Sequence, residues 1–386
     1  MRKKYTLVFI AFIISQLSLA QSSIVNTPDA NFKNYLLDRS TINVNRDSEI
    51  QVSEAEAFTG RIEVKGSGKL DKYKVKDLTG LEAFTSLTEL NIEHNEFTTI
   101  DISKNVELLS LEASNNELTG LDVTKNIKLE ELELSRNKIT SIDVTKNTEL
   151  TKLWCSFNLL NTLDVSKNWR LFFLELEGNQ FTTIDVANNI WLKTLNISDN
   201  QFTSIDISKN TQLSTLYCRN NLLTNLDISK NFKLDDIVCR SNNLSSLDMS
   251  KHRYATRLLA FANPNLNCIK VADETDTQKK CSSTRRSGWC VDEDTVYSET
   301  CGTASIYDEE FSNEILLFPN PVNDILKISI QNNEEIKSTK IFNILGKMIL
   351  ESKKEIIDVS NFPSGIYWLK IENTANKIAL KRIIKE

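Results

Sequence analysis

Side chains able to do acid–base, nucleophilic or metal chemistry are sparse in this sequence, and their spacing limits what each can do. Glu175 and Glu177 have the residue types of a glycoside-hydrolysing acid and base. The single leucine between them sets both on one solvent-facing side of an extended segment, which implies no cleft. His94 and His252 are the only histidines, neither has a catalytic partner nearby in sequence, and no GxSxG, HExxH, Walker or GxGxxG motif occurs. A secreted hydrolase is therefore the weakest reading, and a protein that binds without catalysis is expected. The seven cysteines divide into two groups. Cys155, Cys218 and Cys239 recur in an apolar column, where cysteine serves as a small hydrophobe. Cys268, Cys281, Cys290 and Cys301 fall within 34 residues. In an exported chain they imply two disulfides, with three pairings open. We take Cys268–Cys301 outside Cys281–Cys290 as the working pairing, because it would close the end of the preceding array. The spacings of 13, 9 and 11 positions lack the CxxC pairs that zinc favours.

Near the N-terminus, NVNRDSEIQVSE places Asn43, Asn45 and Asp47 at the first, third and fifth positions and Glu54 at the twelfth. That spacing resembles an EF-hand calcium loop, with Asn43, Asn45, Asp47, Glu49 and Glu54 as candidate ligands. It departs from the pattern at Asn43, where Asp is usual, and at Ser48, where the turn favours Gly. Calcium is thus a possible cofactor and no other is indicated. The competing reading is an Asx-rich loop between two short helices that seal the open end of the adjoining domain. Thr27-Pro28 reads as the first helix start and Ser53 with Glu56 as a capping box for the second.

The scaffold that must carry these groups is written in a repeat. Asp101, Asp122, Asp143, Asp164, Asp185, Asp206, Asp227 and Asp248 succeed one another at 21-residue intervals without insertion. Leucines from Leu87 to Leu213, a second leucine three residues on, a small or aliphatic residue two further, and Asn95 through Asn242 keep the same register. The consensus LxxLxLxxNxL closely resembles the leucine-rich repeat family in a short form and spans about residues 76–267, with RLLAFANPNLN as a degenerate last copy. The resemblance implies an α/β-type leucine-rich-repeat solenoid of short parallel strands and irregular convex turns. LxL alternation is a strand with one face inward, and each coil needs its neighbours to bury that face. The asparagines read as a ladder satisfying backbone groups, and the aspartates as closing each convex turn by accepting from N–H groups two or three residues on.

Residues flanking the inward leucines face the concave surface, the usual recognition face of such arrays. Early copies are acidic, middle copies carry Trp154, Phe157 and Phe173, and late copies turn basic at Arg219, Arg240 and Arg257. Trp154, Phe157, Phe173, Glu175, Glu177, Tyr217 and Arg219 are accordingly the candidate ligand residues, for a protein or glycan.

The chain opens with a basic stretch, an apolar run and small residues, the layout of a secretory signal peptide cleaved between Ala20 and Gln21. No later segment has the apolar length of a transmembrane helix. Loss of Arg2, Lys3 and Lys4 moves the net charge from −6 to −9. An acidic body excludes nucleic acid as the expected partner. The C-terminal region alternates apolar and polar residues in short runs, the pattern of a small antiparallel β-sandwich. Its FPNP at Phe318–Pro321, the ILGK turn, SGIYWLKI and the basic end KRIIK resemble the type A C-terminal sorting domain of the type IX secretion system of Bacteroidota. That resemblance implies engagement of the type IX machinery and a secreted or outer-surface location. The expected organisation is a signal peptide at 1–20, an N-terminal cap at 21–75, leucine-rich repeats at 76–267, a disulfide-stabilised cap at 268–301, a linker at 302–314 and the sorting domain at 315–386. The expected function is recognition through the concave face; the alternative is an adaptor or adhesin scaffold without a single ligand site.

Overall fold

A computed structural model of the chain describes residues 24–66, 74–273, 281, 287–301, 309–331, 335–344, 346–374 and 377–386. The expected signal segment, with Ala20 and Gln21, lies outside them. The described residues fall into two compact units, divided between Thr300 and Cys301.

The first unit begins with two short helices, α1 (Ala30–Leu37) and α2 (Val52–Ala57). Both start where a side chain accepts from the first free N–H groups, and neither start is the one expected from sequence. Asp29, not Thr27-Pro28, caps α1, its Oδ1 accepting from Asn31 N (2.8 Å) and Phe32 N (2.9 Å). In α2 the reciprocal acid is Glu54, whose Oε2 accepts from Gln51 N (3.1 Å), so the helix begins ahead of Ser53.

An eleven-stranded parallel sheet comes next. Its strands are β1 (Arg61–Glu63), β2 (Glu89–Asn91), β3 (Ser110–Glu112), β4 (Glu131–Glu133), β5 (Lys152–Trp154), β6 (Phe173–Glu175), β7 (Thr194–Asn196), β8 (Thr215–Tyr217), β9 (Asp236–Val238), β11 (Arg257–Leu259) and β13 (Gly288–Cys290). A smaller parallel sheet joins β10 (Leu247–Asp248), β12 (Cys268–Lys270) and β14 (Val296–Ser298). Strands β1 and β13 come from the segments read as caps, so the caps continue the sheet. Every repeat strand is three residues long with its central residue buried, as LxL alternation requires. The inward leucines, with Phe97, Phe181 and Phe202, form one continuous core. Burial pushes the thiols of Cys155 and Cys218 up and that of Cys239 up to about 12, so all three behave as hydrophobes. Cys281 pairs with Cys290, and Cys268 with Cys301.

Two asparagine ladders lock the coils. In the first, Asn116 Nδ2 donates to Ile92 O (2.9 Å) one coil back and Ala113 O (3.1 Å) in its own coil, while Oδ1 accepts from Phe97 N (3.1 Å). The same bonds recur to Asn263. The second, unforeseen from sequence, uses the asparagine of the S/T-K-N turn. Asn147 Nδ2 donates to Val123 O (2.9 Å) and Asn126 O (2.8 Å), and the rung repeats from Asn105 to Asn231. His252 takes the next rung, its Nε2 lying 3.1 Å from Asn231 O. The aspartates close the turns as expected, each Oδ1 accepting from the N–H two residues on. In Asp101, Asp164, Asp206 and Asp227 that backbone bond, and in Asp122 and Asp143 the threonine hydroxyl, hold the carboxyl below its usual range.

The second unit begins with α3 (Glu309–Glu314), whose Phe311 is fully buried, so part of the stretch read as linker belongs to this core. Two antiparallel sheets complete it: β15 (Ile315–Phe318), β16 (Ile325–Ile330) and β19 (Ile356–Asp358), then β18 (Met348–Ser352), β17 (Ile336–Asn343), β20 (Gly365–Asn373) and β21 (Ile378–Lys385).

Candidate functional site

The outward residues of the long sheet make its candidate binding face, and the in-register pairing fixes their order across strands about 4.8 Å apart. At the N-terminal end the acidic character is offset. Arg61 of β1 lies against Glu63 (3.6 Å), Glu89 (3.3 Å) and Glu112 (3.1 Å), and Lys65 bonds Glu93 at 2.7 Å.

Among the late coils the basic character expected from sequence is largely cancelled as well. Arg219 Nη2 meets Glu177 Oε1 (2.5 Å) and Asp199 Oδ2 (2.8 Å), and Asn196 donates to Glu177 Oε2 (2.8 Å). Tyr217 donates its hydroxyl proton to Asp236 Oδ2 (2.7 Å), which also receives Arg257 Nη1 at 3.2 Å. Burial, and then Asp236, push the Tyr217 phenol up to about 12. Glu177, Tyr217 and Arg219 are thus held within cross-coil networks.

The middle of the face is different. Trp154 on β5 stands directly between Glu133 on β4 and Glu175 on β6. Glu133 accepts from Ser114 Oγ (2.5 Å) and Ser135 N (3.1 Å), and neither carboxylate has a cationic partner among the described residues. Burial, followed by the charges of Glu133 and Glu177, raises the Glu175 carboxyl above its usual range. Lys152 lies 5.7 Å from the Trp154 ring centroid but is bonded to Glu131. Phe173 is the cross-strand partner of Lys152, and its ring contacts Phe172 at 5.2 Å.

Phe157 occupies the turn that leaves β5, with φ at 56°, in a row of left-handed residues from His94 to Ala262. A non-glycine residue there is strained. Gly178 holds the next place in the row, and a Cβ on it would meet Phe157 Cδ1 at 2.5 Å. Its lack of a side chain makes room for the Phe157 ring, which Arg136 approaches at 4.4 Å from the other coil. Trp154, Phe157, Phe173 and Glu175 therefore sit together on β5, β6 and their turn. Glu133 joins them; its place beside Trp154 is set by the repeat register.

The loop with calcium-like spacing turns its oxygens to its own donors. Glu54 Oε1 accepts from Val44 N (2.8 Å) and Asn45 N (3.1 Å). Asp47 Oδ2 accepts from Asn45 Nδ2 (3.0 Å) and Gln51 Nε2 (2.8 Å), Asn43 Nδ2 donates to Asp47 O (3.0 Å), and Glu49 pairs with Lys33 at 2.7 Å. Carboxylate oxygens of Asp47, Glu49 and Glu54 are thus engaged by protein donors, as in a self-satisfied capping loop, while Asn43 Oδ1 is buried without a partner. Among the described residues no group of three or more His, Cys, Asp or Glu is placed to hold a metal.

In the C-terminal unit the FPNP segment is tied to the last strand. Asn320 Nδ2 donates to Arg382 O (2.8 Å), its Oδ1 accepts from Ile384 N (2.9 Å), and Val322 N donates to Ile384 O (2.8 Å). The two motifs are therefore one structural feature. Residues 316–386 match the secretion system C-terminal sorting domain. This sorting domain, of the type IX system, indicates export to the cell surface or secretion. No helix among the described residues is long and apolar enough to cross a membrane.

The chain is similar in fold to leucine-rich repeat proteins. The functional domain of InlJ from Listeria monocytogenes is 21% identical, with 95% of this chain and 100% of that one covered and a TM-score of 0.44. A leucine-rich repeat protein of Leptospira interrogans is 18% identical over 67% of this chain and 64% of its own, with a TM-score of 0.49. YopM, a leucine-rich effector of Yersinia pestis, is 19% identical over 64% and 61%, with a TM-score of 0.43. No curated protein matches the chain.

Proposed function

We propose that this exported solenoid is a non-catalytic protein-recognition module that takes a basic segment of its partner on the middle of its strand face. The observation that carries the reading is the row Glu133, Trp154, Glu175, an aromatic ring between two carboxylates that lack cations among the described residues while charges in the coils on both sides are largely paired. A lysine or arginine laid on Trp154 would gain a cation–π contact of about 2 kcal/mol once desolvated, with a carboxylate on either side. Phe157 and Phe173 supply apolar area around that anchor, an arrangement typical of binding hot spots. Such face-borne recognition is the common use of curved repeat arrays. A hydrolytic role finds less support, since Glu177 is engaged by Arg219 and Asn196 and His252 is buried in a backbone ladder.

The test is capture of partners from surface and host-cell extracts by the full chain, comparing wild type with Trp154→Ala and with Glu133→Gln/Glu175→Gln. Proteins retained by wild type and lost from both variants support the reading; equal retention by all three removes this face as the binding surface.

A further inference from the structure

A separate aromatic surface lies outside the strand face, on the turn that carries the second asparagine ladder. Each ladder asparagine is fully buried and bonded to the preceding coil, so the residues just after it are held outward at a fixed spacing. At these places the chain puts Trp169 and Trp191, 49% and 53% exposed, on successive coils. Together with Thr151, Arg170, Phe172 and Lys193 they line a hollow of about 450 Å³. About half of each tryptophan stays in water, and exposed apolar side chains gathered at one place mark an interaction site.

We infer that Trp169, Phe172 and Trp191, with Lys193, form a platform for an acidic polysaccharide. Three observations fix the class. The tryptophans are confined to two coils, because Thr148-Glu149 and Thr211-Gln212 hold the equivalent places on the coils before and after, so the aromatic platform is two coils wide. Trp169 and Trp191 stand one and two places after their ladder asparagines, 22 residues apart, and so offer two separate ring surfaces to the apolar C–H faces of pyranose units. Charge at the rim is positive on a chain of net charge −6: Lys193 lies 5.9 Å from the Phe172 ring with no carboxylate partner among the described residues, while Arg170 is matched by Glu149. A neutral glycan would leave Lys193 unused, whereas a uronate or sulfate complements it.

The inference is independent of the strand-face reading and is tested on the full chain by calorimetric titration. The probes are alginate oligosaccharides for uronate, heparin oligosaccharides for sulfate and cello-oligosaccharides as the neutral comparison. At least one acidic probe is expected to bind more tightly than the neutral one and to weaken as salt is raised. Trp169→Ala with Trp191→Ala should weaken binding about tenfold or more at an unchanged melting temperature. Lys193→Gln should reduce both affinity and salt dependence, and Trp154→Ala should change neither. Failure of both acidic probes to bind, equal affinity for the neutral probe, undiminished binding by the double tryptophan variant, or loss of self-association in that variant in place of glycan binding would each overturn it.

Discussion

The two asparagine ladders make different demands, and truncating one rung of each should show it. Asn147→Ala removes two donors, to Val123 O and Asn126 O. Each carbonyl keeps one bond, from Asn126 N and Leu129 N respectively, and the Oδ1 that is lost had no partner. At about 0.5–1.5 kcal/mol per net hydrogen bond the cost is about 1–3 kcal/mol. Asn158→Ala removes donors to Leu134 O and Cys155 O and also the acceptor of Ile139 N, at 3.0 Å. A buried N–H left without a partner adds about 1–3 kcal/mol, so this rung should cost about 2–6 kcal/mol. Urea unfolding of the full chain, tracked by far-ultraviolet circular dichroism, would rank the two. Coil cooperativity makes the order of midpoints the robust quantity, since long arrays depart from two-state behaviour. Equal midpoints, or a larger loss for Asn147→Ala, would refute the distinction between a donor-only ladder and one that both donates and accepts.

Burial holds the pKa of His252 below its ordinary value, with Asn231 O and Asp248 opposing. Its contribution should be fully present above the unfolded value near 6.5 and lost as pH falls through the lowered folded value. His252→Asn should therefore flatten the acid limb of a melting-temperature profile; an unchanged limb would contradict the ladder role. For the N-terminal loop, millimolar calcium should leave the melting temperature unmoved, while Glu54→Ala costs about 1–2 kcal/mol by freeing Val44 N, Asn45 N and the capping contact at Gln51 N. A calcium-dependent rise that Glu54→Ala abolishes would restore the metal reading. Deleting residues 315–386 should trap the protein in the periplasm, as cell fractionation would show, and normal surface delivery would count against the sorting role.

The solenoid was legible because a fixed 21-residue period with LxL alternation and no insertion has one physical solution, stacked coils sharing a core. The first ladder and the Asx turns were legible for the same reason, each being a local geometry repeated. What escaped was non-local. Arg219 reaches Glu177 across 42 positions and Arg257 meets Asp236, so two of the three late arginines that looked basic are neutralised in the fold. The second ladder was hidden because its asparagine sits in a polar S/T-K-N turn that gives no sign of being fully buried. Helix starts shifted to Asp29 and Gln51, where competing caps lay within two residues. In the acidic stretch before the sorting domain only Phe311 betrayed a buried helix. Trp169 and Trp191 carried a signal that attention to the concave face passed over, large aromatics at places where the flanking coils hold Thr and Gln.

The most direct test of strand-face recognition is the affinity of a captured partner for the full chain, measured for wild type, Trp154→Ala and Glu133→Gln/Glu175→Gln. A loss of about tenfold or more is predicted in each variant at unchanged melting temperature, with the carboxylate pair also losing salt dependence. Wild-type affinity in both variants would contradict it.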